Sequence, residues 1–282
     1  MRWLPPVTVL LLTLSAALPA AAEDAAIWRM VAQADVVATG RLDPPENLPA
    51  RDYVVMPVHD VRPLKGDVGA QPAIRWYSEP RSYAPSIEQL RAASGSSSLV
   101  FAVRGGDGRL YFAGSPAAHQ PAIHATVAAV ETEIARQAEV LANWRPSTDF
   151  PHFAEVRAII DDIVALSPAS RNERRSGATR QQRLFDRLIA LGPTAVPAII
   201  EQMDDDRALP NPAISLVNHA PDAFEAFRQY APKGMVDALA AVLNQLTGEH
   251  FGFIYNGGTA AERDASVRGW RIYLDRLRTG TA

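Results

Sequence analysis

The sequence predicts an α+β protein of two units, a small antiparallel β-barrel followed by an all-α helical domain, and three observations carry that expectation. Between residues 36 and 113, β-branched and aromatic residues cluster in short runs punctuated by Gly and Pro, the pattern of strands and turns. From residue 123 onward, apolar residues recur at the spacing of one helical face. After the first of these helices, the stretch 146–151 begins and ends with Pro and marks a boundary, giving units of 23–146 and 147–282.

Taken in order, Ile27, Met30, Val31 and Ala34 form a short helical face with Asp24 as its expected N-cap. Val36–Leu42 reads as a strand, with Gly40-Arg41 allowing a bend. A Pro-rich loop over 43–49 leads to a second strand over 53–61, where Pro57 favours a sheet edge. Leu64-Lys65-Gly66-Asp67 reads as a turn and Ala73–Tyr77 as a third strand. A helix over Ile87–Ala92 interrupts the sheet. The runs 99–104 and 109–113 then form a hairpin, because Gly105-Gly106-Asp107-Gly108 supplies the positive φ angles of a tight connection.

Helices are expected from there on. Ile123, Val127, Val130, Ile134, Leu141 and Trp144, with Ala138 on the same face, predict a helix of about six turns. Phe153, Val156, Ile160 and Ile163 mark the next, and the aperiodic stretch 167–177 reads as a solvated loop. Thr179 with Gln182 has capping-box spacing and opens a helix carrying Leu184, Leu188 and Leu191. Gly192-Pro193 stops it, and Val196, Ile199, Ile200 and Met203 follow at i, i+3, i+4 and i+7. Asn211-Pro212 and Ala220-Pro221 are read as restarting short helices, the second presenting Phe224 and Phe227. Met235, Leu239, Val242, Leu243 and Leu246 form a stripe closed by Thr247-Gly248. Thr259 with Glu262 caps a last helix lined by Val267, Trp270, Leu274 and Leu277.

Two resemblances follow from these residues. The run LIALGPTAVPAII, residues 188–200, resembles the helix-turn-helix of HEAT-type repeats, where L-x-x-L-G-x-x-A-V-P-x-L/I recurs, and implies a HEAT-like helical domain of which one clear unit is visible. The runs QADVVATGRL, VHDVRPLKGD and SSLVFAV resemble the OB-like barrel of netrin-like and tissue-inhibitor-like modules. That resemblance implies an OB-like barrel and a function at its rim.

Composition narrows the class. Hydrophobic residues make up 48% and charged residues 21%, as in ordinary globular proteins, and a net charge of -3 argues against a nucleic-acid partner. Met1-Arg2, the apolar run 7–14 and Ala20-Ala21-Ala22 read as a signal peptide over residues 1–22, cleaved before Glu23. No later stretch approaches the ~18 apolar residues of a membrane span. The chain has no cysteine, which closes the disulfide, thiolate-metal and lipoprotein-anchor routes and fits a bacterial periplasm.

No catalytic, cofactor or metal set is expected. Asp204-Asp205-Asp206 lacks the alternating ligands and glycine of a calcium loop. His119 and His124 are five apart rather than the four that places two ligands on one helical face, and His152 lies further on. No G-x-S-x-G elbow or phosphate loop is present. Two stretches are candidates for partner binding. Arg171, Arg174 and Arg175, with Arg180 and Arg183 nearby, form a solvated basic face or a surface for an acidic partner. The stretch HFGFIYNGG, residues 250–258, is either a plug under the last helix or a recognition loop built on Phe251, Tyr255 and Asn256, with Tyr255 as its exposed handle.

The expected function is a secreted, periplasmic, non-catalytic protein-binding or scaffold protein. The alternative is a hydrolase-type enzyme or enzyme inhibitor acting through the barrel rim, where His59, Asp60 and Glu79 are the groups to converge.

Overall fold

The structure is a computed structural model that describes residues 20–44, 53–77, 84–176, 179–221, 223 and 225–281, with side chains from residue 27 onward. The apolar run at 7–14, Glu79 and Phe224 lie outside the described residues, and the expected cleavage point before Glu23 falls within the first helix, α1 (Ala20–Gln33).

After α1 come β1 (Val36–Leu42), β2 (Tyr53–Lys65), β3 (Ala73–Tyr77), helix α2 (Ile87–Ala92), β4 (Ser98–Arg104), β5 (Leu110–Phe112) and β6 (His119–Pro121). They pair in the order β1-β2-β3-β5-β4, and β1 pairs again with β4, so five strands close into a barrel with β6 added beside β4. The barrel is mixed, which corrects the expected antiparallel arrangement: β3 and β5 run parallel, with Ile74 opposite Leu110 and Arg75 opposite Tyr111. The tight 105–108 turn holds β5 antiparallel to β4, and inserting that arm between β4 and β3 leaves it running with β3. Leu42, Met56, Ile74, Leu99 and Phe101 fill the interior.

Strand β2 continues past the expected end at 61 because its second half pairs with β1, Val37 lying opposite Lys65. The chain turns at Gly66, where φ is +71° and a Cβ would lie 2.1 Å from the Asp35 carbonyl oxygen. Glycine at that position lets Lys65 end the strand against α1.

Helix α3 (His124–Ala142) buries part of the expected stripe, with Ile134 and Leu141 packed at its edge, together with two polar residues that the stripe did not include. Ile123 is exposed, and Val127, Val130, Glu133 and Gln137 turn inward. The polar pair is accommodated because Gln137 Nε2 donates to the Trp28 carbonyl at 2.9 Å and to Glu133 Oε1 at 2.8 Å.

The C-terminal part contains α4 (Phe153–Val164), α5 (Arg171–Ser176), α6 (Arg180–Ala190), α7 (Val196–Ile200), β7 (Ile214–Val217), β8 (Phe227–Tyr230), α8 (Met235–Thr247) and α9 (Ala260–Thr279). Phe185, Leu188, Val196, Ile199, Leu239 and Trp270 lie in one core. Two expectations are corrected. The region is mostly helical rather than all-α, because 214–230 holds an antiparallel hairpin in place of two short helices. Ile214 and Leu216 alternate inward with a period of two, a pattern too short to stand out between prolines. Inside the expected loop 167–177, α5 forms because Ser170 and Glu173 exchange capping hydrogen bonds of 3.0 and 3.2 Å.

Trp28 of α1 belongs to the C-terminal core, so this helix joins the two parts while also packing on α3 and α9. Among the described residues, no helix is long and apolar enough to cross a membrane.

Candidate functional site

The segment between α8 and α9 lies on the seam between barrel and helices. Gly248 ends α8 in the left-handed conformation, and the chain then sends Phe251 inward. Phe251 meets Trp270 edge-on at 5.0 Å and Trp28 at 6.2 Å. The approach requires glycine at 269, because a Cβ there would lie 2.4 Å from Phe251 Cβ. Tyr255 is also buried, and its hydroxyl has no hydrogen-bond partner among the described residues. Burial pushes that phenol far above its ordinary range. Asn256 is exposed, and its Oδ1 accepts from Ala231 N at 2.8 Å next to β8.

The exposed aromatic is therefore Phe253 rather than Tyr255. Phe253 is 71% exposed, its ring stacked on His250 at 5.3 Å with an interplanar angle of 27°. Beside it opens a cleft of about 280 Å³, walled by Gln33 of α1, Val103 and Arg104 of β4, Tyr111 and Phe112 of β5, and Glu262 of α9.

His250 is held in place by Gln33 of α1. Gln33 Nε2 donates to the His250 carbonyl at 3.0 Å and also approaches His250 Nε2 at 3.4 Å. That amide nitrogen can only donate, so the ring contact is a hydrogen bond in the tautomer with Nε2 unprotonated. Burial lowers the imidazole pKa, Glu249 opposes that and Arg29 reinforces it. At the barrel side, Arg104 donates to the Gly108 and Asp67 carbonyls at 2.8 and 2.6 Å, and its own N–H reaches Asp35 Oδ2 at 2.8 Å. Glu262 caps α9 through Oε2, bonding Thr259 N and Oγ1 at 2.7 and 2.9 Å. The cleft thus has apolar walls with a cation, two carboxylates and a carboxamide at its edges, a composition suited to holding an apolar side chain and orienting its backbone.

The other candidates are dispersed. Arg171, Arg174 and Arg175 lie on α5, where Arg174 donates to the Ala169 carbonyl. Among the described residues no hydrogen bond or ion pair links these three to the 250–256 segment. His59 pairs with Asp43 at 3.0 Å and Asp60 with Arg41 at 2.7 Å, all exposed at the barrel rim, so the two groups serve different partners. His119 is buried on β6 beside Phe112, and His152 contacts Glu155 at 3.5 Å. Asp204 and Asp205 are paired with Arg271 and Arg207. Among the described residues, no group of three or more His, Asp or Glu is placed to hold a metal ion.

Sequence reasoning missed a second surface, on the barrel wall. Arg75 lies over the rings of Tyr53 at 4.9 Å and Tyr111 at 6.0 Å, while the Tyr111 hydroxyl donates to Asp107 at 2.9 Å. The detectable signal is the shared outward parity of Tyr53, Arg75 and Tyr111 once β2, β3 and β5 are aligned. Compared with known proteins, the chain matches no protein family, no curated protein and no solved structure.

Proposed function

We propose that this chain is a periplasmic, non-catalytic binding protein that accepts an apolar side chain of a protein partner in the cleft beside Phe253. The finer architecture we assign to it is an OB-like barrel joined to a HEAT-like helical domain. The closure order β1-β2-β3-β5-β4-β1, with a helix between the third and fourth strands, supports the first assignment. The Gly192 corner between α6 and α7 supports the second. The single observation that carries the function is the exposure of Phe253 at the lip of an apolar cleft, since covering a large apolar side chain is worth about 1.5–3 kcal/mol.

Photo-crosslinking from a benzoylphenylalanine at position 253, in periplasm, tests it. The captured partner is then purified and titrated against the wild type and Phe253→Ala. The reading expects at least about a tenfold loss of affinity; equal affinity for both proteins overturns it.

The second reading, an enzyme inhibitor or hydrolase-type enzyme acting through the barrel rim, is favoured by the Tyr53-Arg75-Tyr111 surface. It expects the loss in Arg75→Ala instead.

A further inference from the structure

A second cavity of about 250 Å³, sharing Ala32, Asp35 and Ala265 with the cleft, lies where α1, α3 and α9 meet the end of β2. Its floor is Val31, Ala34, Gly269 and Ile272, and Ile134 and Leu141 extend the apolar wall. Two cations reach it, Lys65 and Arg268. Lys65 Nζ donates to the Val31 and Ala34 carbonyls, each at 2.6 Å, which satisfies the C-terminal end of α1 and uses two of the three ammonium hydrogens. Arg268 is exposed at the mouth, and among the described residues neither cation forms an ion pair. The one carboxylate lining the cavity is that of Asp35, and its Oδ2 already accepts the Arg104 N–H. The chain places arginine at all but two of its 28 Lys and Arg positions, so a compact ammonium here is a departure from its own habit.

We propose that this cavity binds a small amphipathic monocarboxylate, its head group between Lys65 and Arg268 and its hydrocarbon tail against Ile134, Leu141 and Ile272. The volume suits such a ligand, since an apolar cavity of ~150 Å³ already admits a benzene ring. Burial lowers the Lys65 pKa to about 8, with Asp35 opposing and Arg268 reinforcing, so at neutral pH the half-buried amine is mostly charged. A ligand carboxylate would supply an acceptor for the third ammonium hydrogen and a counter-charge for Arg268. The proposal is independent of partner binding at Phe253.

The test uses the full chain, with hexanoate as the probe and hexanol and sodium sulfate as controls. Millimolar hexanoate should raise the melting temperature, while hexanol and sulfate at equal concentration leave it unchanged. Acetylation followed by mass spectrometry should show hexanoate protecting Lys65 but not Lys233, the one other lysine. Arg268→Gln, a substitution at an exposed position, should weaken the hexanoate response about tenfold, and Lys65→Met should abolish it. An equal shift from hexanol or from sulfate overturns the proposal, as does Lys65 acetylation at the same rate with and without hexanoate.

Discussion

A single carboxamide, that of Gln33 on α1, reaches both the carbonyl oxygen and the ring Nε2 of His250, at 3.0 and 3.4 Å, and thereby ties the barrel's leading helix to the loop that presents Phe253. The arm to the ring nitrogen needs an unprotonated Nε2, whereas the arm to the carbonyl does not depend on the ring. His250 and His119 both have pKa values lowered by burial, so the folded protein binds fewer protons than the unfolded chain, whose histidines titrate near 6.5. Stability contributed by these groups is fully present above pH 6.5 and is lost as the pH falls toward their folded values. The urea midpoint should therefore drop between pH 7 and pH 5, and His250→Gln should flatten that slope. A midpoint unchanged across this range in the wild type would contradict the clamp.

Glu133 predicts a second, larger effect. Its carboxylate accepts from Arg136 at 2.9 Å twice, from Gln137 at 2.8 Å and from Arg276 of α9 at 3.3 Å. Burial works to raise its pKa, but the hydrogen bonds from Arg136 and Gln137 and the charges of Arg136 and Arg276 outweigh it, leaving the group more acidic than usual. Glu133→Ala removes the acceptor that Arg136, Gln137 and Arg276 share, while Arg136 keeps its pair with Asp275 at 2.7 Å, and should cost about 1–3 kcal/mol. Chemical denaturation measures it, and a loss below about 1 kcal/mol would show that the pair is solvated.

Glu133 also marks where the sequence stopped being legible. Local signals were readable: the Thr179 and Thr259 caps, the 105–108 turn and the stripes of α6, α8 and α9 depend on residues within a few positions of one another. The inward turn of Glu133 and Gln137 depends on Arg276 and on the Trp28 carbonyl, more than a hundred residues away, so an apolar stripe through Ile123 and Leu141 looked better. The parallel β3–β5 pair and the 214–230 hairpin are likewise settled by partners, not by local pattern. At the site, the aromatic richness of 250–258 was visible, but which ring is covered depends on the Trp28–Trp270 nest receiving Phe251.

Removing the expected signal peptide should leave the fold intact. Trp28 is 1% exposed, lies in the C-terminal core and has the guanidinium groups of Arg29 and Arg276 over its ring at 5.2 and 5.5 Å, and a chain starting at Glu23 retains all of this. The prediction is a mature protein whose N-terminal residue is Glu23 and whose melting temperature equals that of the full chain. Trp28→Ala in the same mature protein should lose about 3–5 kcal/mol. N-terminal sequencing of periplasmic material and paired thermal melts check both statements.

Phe253 and Tyr255, two residues apart, should behave as opposites. Phe253 makes its contacts from solvent, so Phe253→Ser should change stability by no more than about 0.5 kcal/mol and act on binding alone. Tyr255 is shielded, meets Tyr230 edge-on at 5.5 Å, and buries a hydroxyl that has no partner among the described residues, a cost of about 1–3 kcal/mol. Tyr255→Phe keeps the ring and deletes the unsatisfied group, so it should raise stability while leaving partner affinity unchanged. Urea unfolding and titration of the cross-linked partner, run on both variants, separate the two roles. A Tyr255→Phe protein that binds less well, or a Phe253→Ser protein that unfolds more easily, would move the recognition surface from the cleft lip to the buried side of the loop.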